Sequence, residues 1–215
     1  MLLAEDLLVL LVPTAVGELP RRRGTQAALG AAVLVELAGA GRLAVSHDDS
    51  AVTVVDPEPL GDEVLDAALA AAPESTEIGQ LIGLVVPGLY VRLLDRLVSR
   101  GLLMRSTRPV TFGVASKHVW QVADHGRREE LRSWLGGVVA GHTPLDQWSR
   151  ALIGLLDALD ALGELGLGTG YGQRIAEIVE GDWAADEVTK AVTDASLRAL
   201  AGKTQFLDSV TTFPA

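Results

Sequence analysis

The decapeptide LVELAGAGRL at residues 34–43 decides the fold, because it joins a leucine-faced helix to a glycine stop and to the start of a β-strand. The apolar side chains before and inside it recur at helical spacing, at Leu29, Val33, Leu34 and Leu37. Thr25 is the predicted N-cap of a helix over residues 26–40, and Gly39 and Gly41 end this helix. The pattern predicts a buried helix followed at once by a reversal of the chain.

The same design occurs twice in the chain. Residues 42–46 and 51–55 alternate or carry β-branched side chains around a polar turn, which predicts a β-hairpin. LDRLVSRGLL at residues 94–103 repeats the order of helix, glycine stop and strand, and it predicts a helix over residues 89–99. A second β-ribbon is predicted within residues 102–122, with interruptions at residues 108–109 and 116–117. Because a winged-helix module is built in the same order, a winged-helix-like DNA-binding regulator is an alternative.

Helical periodicity covers most of the remaining chain and predicts further helices over residues 2–12, 62–72, 77–84, 127–139, 144–165, 173–179 and 185–200. The longest of them carries a broad apolar stripe at Leu152, Leu155, Leu156, Leu159 and Leu162. The acidic pair Glu5–Asp6 is interpreted as part of a solvated face or cap. These elements predict a fold class that is mainly α, with one or two small β-hairpins.

The composition disfavours several classes of function. Lys and Arg total 18 and Asp and Glu total 28, so the net charge is −10 and nucleic acid is not an expected partner. The absence of cysteine excludes disulfides, Cys-ligated zinc and thiol nucleophiles. Arginine outnumbers lysine 15 to 3, which together with abundant Ala, Gly and Leu is typical of a GC-rich bacterial genome. The longest uncharged stretch has 14 residues, at 78–91, whereas a membrane span needs about 20.

No motif in the chain predicts catalysis. The glycine-rich GLGTGYG at residues 166–172 lacks the third glycine of the dinucleotide-binding pattern, and it follows a predicted helix rather than a strand. The four histidines have no metal-binding spacing and are interpreted as loop or surface residues, at His47, His118, His125 and His142. We therefore predict no enzyme, no cofactor and no metal, with an enzyme whose pocket is assembled from distant residues as a third alternative.

The arginines are the candidate binding residues. Arg21, Arg22 and Arg23 come just before a predicted helix start, and helix N-termini with guanidinium neighbours favour anionic groups. Arg92 and Arg96 fall four apart with Arg100, so they are predicted to line one exposed stripe of the helix over residues 89–99. The pattern predicts a phosphate or lipid-headgroup site, and a solvated basic loop is the alternative for the arginine triplet.

Three segments, taken in order, resemble the Golgi phosphoprotein 3 family: LLAEDLLVLL at residues 2–11, AVLVELAGAGRL at 32–43 and LLDRLVSRGLL at 93–103. The resemblance covers most of residues 1–200. It implies a single domain over residues 1–203 with a helical-bundle core wrapped by amphipathic helices, followed by a C-terminal tail over 204–215 that we expect to be flexible. It also implies a protruding β-hairpin within residues 102–122, which in this family helps oligomerisation.

The resemblance further implies a function. Eukaryotic relatives are peripheral membrane adaptors that bind phosphatidylinositol 4-phosphate and gather the short cytosolic tails of Golgi glycosyltransferases. We therefore expect a non-enzymatic adaptor whose partners are an anionic phospholipid headgroup or membrane surface, short protein tails, and a second copy of the chain through the hairpin. The expected location is cytoplasmic, with peripheral contact at the inner face of the membrane.

The lipid pocket of the family is matched only in part. The place of its tryptophan is held by about Arg21, that of its first arginine by Gly30, and its two later arginines fall near Pro87 and Tyr90. Arg92 matches a basic position directly. The resemblance therefore extends to the fold but does not extend to phosphoinositide specificity, and we expect an anionic headgroup to be bound by Arg21, Arg22, Arg23 and Arg92, with Arg96 beside them.

Overall fold

The computed structural model describes residues 1–17, 24–46, 51–110, 115–187 and 189–190. In chain order the elements are α1 (Leu3–Leu11), α2 (Thr25–Gly39), β1 (Leu43–Ser46), β2 (Ala51–Val54), α3 (Glu63–Ala71), β3 (Ser75–Glu77), α4 (Ile78–Val85), α5 (Leu89–Ser99), β4 (Leu103–Val110), β5 (Ala115–Val122), α6 (His125–Val139), α7 (Gln147–Ala158) and α8 (Gly172–Val179). Residues 183–187 are also helical. The mainly α fold class with small β-hairpins is confirmed.

Helices α1 and α2 form the centre of the bundle. Nearly every residue of α1 is buried, as is most of α2, and a helix that is apolar all round belongs inside a core. Helix α1 packs against α2, α5, α6 and α7, and α2 packs against α3, α4, α5 and α7. The other helices therefore wrap this central pair, as the resemblance implies.

Gly30 allows a close approach between α2 and α4. A Cβ atom at this position would lie 3.2 Å from a methyl carbon of Ile82 and 3.2 Å from one of Val86. Such contacts are tighter than ordinary van der Waals packing, so a side chain here would push the two helices apart. The contact places the first turns of α2 beside the C-terminal end of α4.

The first hairpin is confirmed, and the structure extends it. Strands β1 and β2 pair antiparallel from Leu43 opposite Val54 to Ser46 opposite Ala51. A third strand, β3, pairs with β2 and was not predicted. Its sequence, Ser-Thr-Glu, has neither the apolar alternation nor the length from which a strand is recognised.

The second ribbon lies within the predicted residues 102–122 and is more regular than predicted. Strands β4 and β5 form an unbroken antiparallel ladder from Leu103 opposite Val122 to Val110 opposite Ala115. The predicted interruptions at residues 108–109 and 116–117 are wrong, because Arg108 pairs with Lys117 and Pro109 with Ser116. A two-stranded ribbon has only edge strands, and an edge strand tolerates proline. Residues 104–109 are exposed on both faces, so this ribbon projects from the helical body.

Helix α7 is shorter than the predicted helix over residues 144–165. It begins at Gln147 under a capping box from Asp146, and it ends at Ala158 because Asp160 takes a positive φ of 52°. The predicted leucine stripe is nevertheless buried throughout, partly by the turns that follow the helix. The remaining predicted helices agree with the structure to within two residues, except that the helix over 185–200 starts two residues earlier and lies beyond residue 190 outside the described residues. The C-terminal tail over 204–215 also lies outside them.

Candidate functional site

The corner between α4 and α5, residues 84–92, is the first part of the candidate site. Pro87 and Gly88 turn the chain, and Gly88 serves as the N-cap of α5 with a φ of 74°. Leu84, in the uncharged helix α4, is 50% exposed, and Val91, in the amphipathic helix α5, is 58% exposed. Residues 78–94 carry a single charged side chain, that of Arg92, in a chain with 28 acidic residues. The α4–α5 corner is therefore an apolar, acid-free and weakly basic surface.

Arg92 is held beside this corner with spare hydrogen-bonding capacity. Its Nη2 atom donates a long hydrogen bond of 3.4 Å to the carbonyl oxygen of Pro87, and its buried Nε–H has no partner. Among the residues that the structure describes, no carboxylate pairs with Arg92. A guanidinium group with unused donors near an exposed apolar edge suits an anionic group such as a phosphate.

Arg96 and Arg100 do not share this freedom. The Nε atom of Arg96 lies 3.1 Å from Oε1 of Glu5, and Nη1 of Arg100 lies 2.7 Å from Oε2 of the same carboxylate. The side chain of Glu5 is 0% exposed, and it also accepts the backbone N–H of Leu2 at 2.8 Å. The expected exposed stripe is therefore wrong for Arg96, which is only 19% exposed, because this face of α5 lies against the start of α1.

Asp62 completes the arginine–carboxylate cluster. Its two carboxylate oxygens accept hydrogen bonds from Arg96 at 2.7 and 2.8 Å, and Oδ1 also caps α3 by accepting from the N–H groups of Val64 and Leu65. The hydrogen bonds from Arg96 are the main reason that the pKa of Asp62 falls to about 2. The cluster of Glu5, Asp62, Arg96 and Arg100 thus ties α1, α3 and α5 together.

Glu36 lies next to this cluster, near the end of α2. Its Oε1 atom accepts the N–H of Leu3 at 2.5 Å, whereas its buried Oε2 atom has no hydrogen-bond partner. Burial is the main cause that raises the pKa of Glu36 to about 7, and the neighbouring carboxylates of Asp62 and Glu5 act in the same direction. Glu36 is therefore an acid that changes its charge near neutral pH.

Asp6 makes a second ion pair on the other side of α1. Its carboxylate accepts hydrogen bonds from Nη2 of Arg127 at 2.9 and 3.2 Å, and Arg128 donates to the carbonyl oxygen of Leu10 at 3.0 Å. Burial raises the pKa of Asp6, and the Arg127 guanidinium opposes this effect. The interpretation of Glu5–Asp6 as part of a solvated face is wrong, because both side chains are buried and each faces arginines from a neighbouring helix, whereas the alternative of a cap is confirmed for Glu5, which accepts the N–H of the N-cap residue Leu2.

The arginine triplet Arg21–Arg22–Arg23 lies outside the described residues, so its predicted role stays a prediction. The helix that follows it, α2, starts with Gly24 as N-cap rather than Thr25, and glycine has no side chain with which to cap the helix. Because Gly30 packs on Val86, this start lies one to two helical turns along α2 from the α4–α5 corner. The structure therefore brings Arg92 near the helix that the triplet precedes, and it removes Arg96 into the ion-pair cluster.

Other predicted features carry little weight in the site. His118, His125 and His142 are exposed, His47 lies outside the described residues, and no metal-binding group of His, Cys, Asp or Glu occurs among the described residues. Within the part of the chain that the structure describes, no helix combines the length and apolarity needed to cross a membrane. The DNA-binding alternative gains no support, since two of the three arginines of α5 face carboxylates.

Glu5 and Asp62 were not predicted as carboxylate partners of Arg96 and Arg100, and Glu36 was not singled out. One signal was present in the sequence: Glu5 and Asp6 stand inside an otherwise continuous apolar segment, where a solvated face has no room.

Comparison with known proteins agrees with the architecture. The family model described as Golgi phosphoprotein 3 (GPP34) matches residues 3–195, which is about nine tenths of the chain. Among curated proteins, no sequence matches the chain at a significant level. The matched region contains both helix–hairpin units, the α4–α5 corner and the arginine–carboxylate cluster. The chain therefore belongs to the Golgi phosphoprotein 3 family.

Proposed function

We propose that the protein is a non-enzymatic peripheral membrane adaptor that binds an anionic lipid surface through the α4–α5 corner. The observation that carries this proposal is the conjunction of exposed Leu84 and Val91 with Arg92, whose guanidinium has no carboxylate partner among the described residues. Leu84 and Val91 enter the interface, and Arg92 contacts a phosphate. The proposed location is the cytoplasm, at the inner face of the membrane.

The expected binding energy of one corner is modest. A basic side chain near an anionic surface contributes about 1 kcal/mol, and each buried Leu or Val contributes roughly 1.5–3 kcal/mol. The net charge of −10 opposes approach to the same surface, but residues 78–94 contain no acid. Such a polarised molecule binds weakly on its own and gains from additional contacts.

The additional headgroup contacts that we propose are Arg21, Arg22 and Arg23. They precede α2, whose N-terminal end begins after Gly24 and lies toward the same corner. We place Arg96 behind these contacts rather than among them, because it already bridges Glu5 and Asp62. With Gly30 at one family arginine position, we expect no preference for phosphatidylinositol 4-phosphate over other anionic lipids of equal charge.

Sedimentation with lipid vesicles tests the proposal. Phosphatidylcholine vesicles with and without phosphatidylserine are compared for the natural sequence and for Arg92→Ala, Leu84→Ser/Val91→Ser and Arg22→Ala/Arg23→Ala/Arg92→Ala. We expect binding that requires the acidic lipid, about fivefold weaker binding for Arg92→Ala and more than tenfold weaker binding for the other two variants.

Two control variants keep this experiment specific. Val55→Ser changes a valine that is 61% exposed, and Arg174→Ala removes an exposed arginine that pairs with Glu177, both away from the corner. Both are expected to bind like the natural sequence. Equal binding by the triple arginine variant, or equal losses in the controls, would remove the proposal.

We further propose that copies of the chain associate through the β4–β5 ribbon, since residues 104–109 are exposed on both faces and a second corner would multiply the weak membrane contacts. Short protein tails are the proposed cargo, by analogy with the family. Light scattering after size-exclusion chromatography tests the association through the ribbon. Met104→Asp places a charge at a position that is 49% exposed, and we expect it to shift the protein from oligomer toward monomer. An unchanged mass for this variant contradicts it.

A further inference from the structure

A second concave surface lies between α6, the start of α7 and the start of α1, where Asp6 faces it while its neighbour Glu5 belongs to the arginine–carboxylate cluster. This groove has a volume of about 500 Å³, within the usual range for small-molecule sites. Its lining contains two tryptophans and three carboxylates: Met1, Asp6, Arg127, Glu130, Leu131, Trp134, Asp146 and Trp148. We name it the tryptophan groove.

The sequence builds one wall of the groove from a single helix face. Arg127, Glu130, Leu131 and Trp134 follow one another at i, i+3, i+4 and i+7 on α6, so they lie in one row. Trp134 and Trp148 are half-buried, which leaves part of each indole facing the groove. Two of the four tryptophans of a chain that is only 4% aromatic thus meet at one surface.

The charges of the groove are unbalanced toward the negative. Asp6 is neutralised by Arg127 at 2.9 Å, whereas Glu130 lies 3.9 Å from the same guanidinium and is 73% exposed. Asp146 uses Oδ1 to accept from the N–H and hydroxyl of Ser149, and among the described residues no hydrogen bond uses its Oδ2. The lining holds three carboxylates, one guanidinium and the N-terminal ammonium of Met1, which acts on Asp6, so its charges sum to about one negative charge.

From this lining we infer that the tryptophan groove binds a small organic cation with an alkylammonium head group. Indole faces attract such cations through their π-electrons, and the carboxylates of Glu130 and Asp146 supply the countercharge. A bare metal ion does not fit, because the described carboxylates do not converge into a metal-binding group. An anion does not fit either, because the net charge of the lining repels it.

The experiment uses choline as the probe and its uncharged carbon analogue, 3,3-dimethylbutan-1-ol, as the control ligand. Indole N–H signals are followed by nuclear magnetic resonance, and Trp134→Phe and Trp148→Phe identify which signals belong to the groove. We expect choline to shift the signals of Trp134 and Trp148 and to leave that of Trp183 unchanged, and we expect at least tenfold weaker binding of the neutral analogue.

Exposed charge variants test the role of the carboxylates without threatening the fold. Glu130→Gln is expected to weaken choline binding about fivefold, whereas Glu129→Gln, a change at the neighbouring exposed position outside the groove, leaves it unchanged. The inference is overturned if choline shifts neither groove indole, if the neutral analogue shifts them equally, or if the two Glu variants behave alike.

Discussion

Replacing Glu5 by Gln removes the charge at the centre of the arginine–carboxylate cluster while keeping the shape of the side chain. Glu5 is fully buried and receives hydrogen bonds from Arg96, Arg100 and the N–H of Leu2. Breaking a buried ion pair by removing one partner costs about 3–5 kcal/mol. Arg96 keeps Asp62, and Arg100 is 44% exposed and regains water, so we place the loss at about 2–3 kcal/mol. For a chain of this length, that lowers the melting temperature by about 5–10 °C.

Urea unfolding followed by far-UV circular dichroism measures this loss. Glu58→Gln, at an exposed position, serves as the matched control and is expected to change the free energy of unfolding by less than about 0.5 kcal/mol. A double-mutant cycle with Arg100→Ala is expected to return a coupling energy of about 1 kcal/mol or more. If Glu5→Gln is as stable as the control, Glu5 is not held in a buried ion-pair cluster, and the interpretation of Glu5–Asp6 as a solvated acidic pair is the better one.

Other changes test the remaining parts of the account. Because the pKa of Glu36 is raised to about 7 from 4.5, the folded protein holds this proton more tightly than the unfolded chain, so the free energy of unfolding falls as pH rises between these two values. The free energy of unfolding of Glu36→Gln is expected to fall by about 1–3 kcal/mol less than that of the natural sequence between about pH 5 and pH 8, measured by urea unfolding. An identical pH profile for the two proteins would contradict this prediction. Gly30→Leu is expected to cost about 1–3 kcal/mol or more by overpacking α2 against α4, and a neutral effect would mean that the helices are further apart. Asp62→Ala is expected to lower the free energy of unfolding by about 1–2 kcal/mol, measured by thermal unfolding, because it removes the cap of α3 and the ion pair with Arg96. Glu63→Ala, at the next position, is expected to leave the free energy of unfolding unchanged. Equal losses in both variants would contradict the role assigned to Asp62.

Much of the fold is encoded locally and was predicted for that reason. The leucine spacing of α2 and α5, the glycines that end them and the β-branched residues that follow give the two helix–hairpin units from nearest-neighbour rules. Strand β3 and the full length of the β4–β5 ladder were not predicted, because cross-strand pairing supplies what Ser75–Glu77 and Pro109 lack locally.

The candidate site was predicted less well, since its geometry depends on contacts between residues far apart in the chain. Arg100 and Glu5 are separated by 95 positions and Arg127 and Asp6 by 121, so no local pattern links them. Spacing alone placed Arg92, Arg96 and Arg100 on one face of a helix, but it did not show that α1 covers part of this face. Of these three arginines, Arg92 lies nearest the N-terminal end of α5. It has no carboxylate partner among the described residues, and its N–H groups remain able to donate further hydrogen bonds.

Contact between the α4–α5 corner and the membrane is the central claim, and a spin label at the corner tests it most directly. The chain has no cysteine, so Val91→Cys accepts a single nitroxide at a position that is 58% exposed, and Tyr171→Cys provides a control site that is 41% exposed. With vesicles containing phosphatidylserine, we predict that the label at position 91 becomes accessible to oxygen and protected from a water-soluble nickel reagent, while the label at position 171 stays in water. Equal exposure to water at both positions in the bound protein would contradict the account.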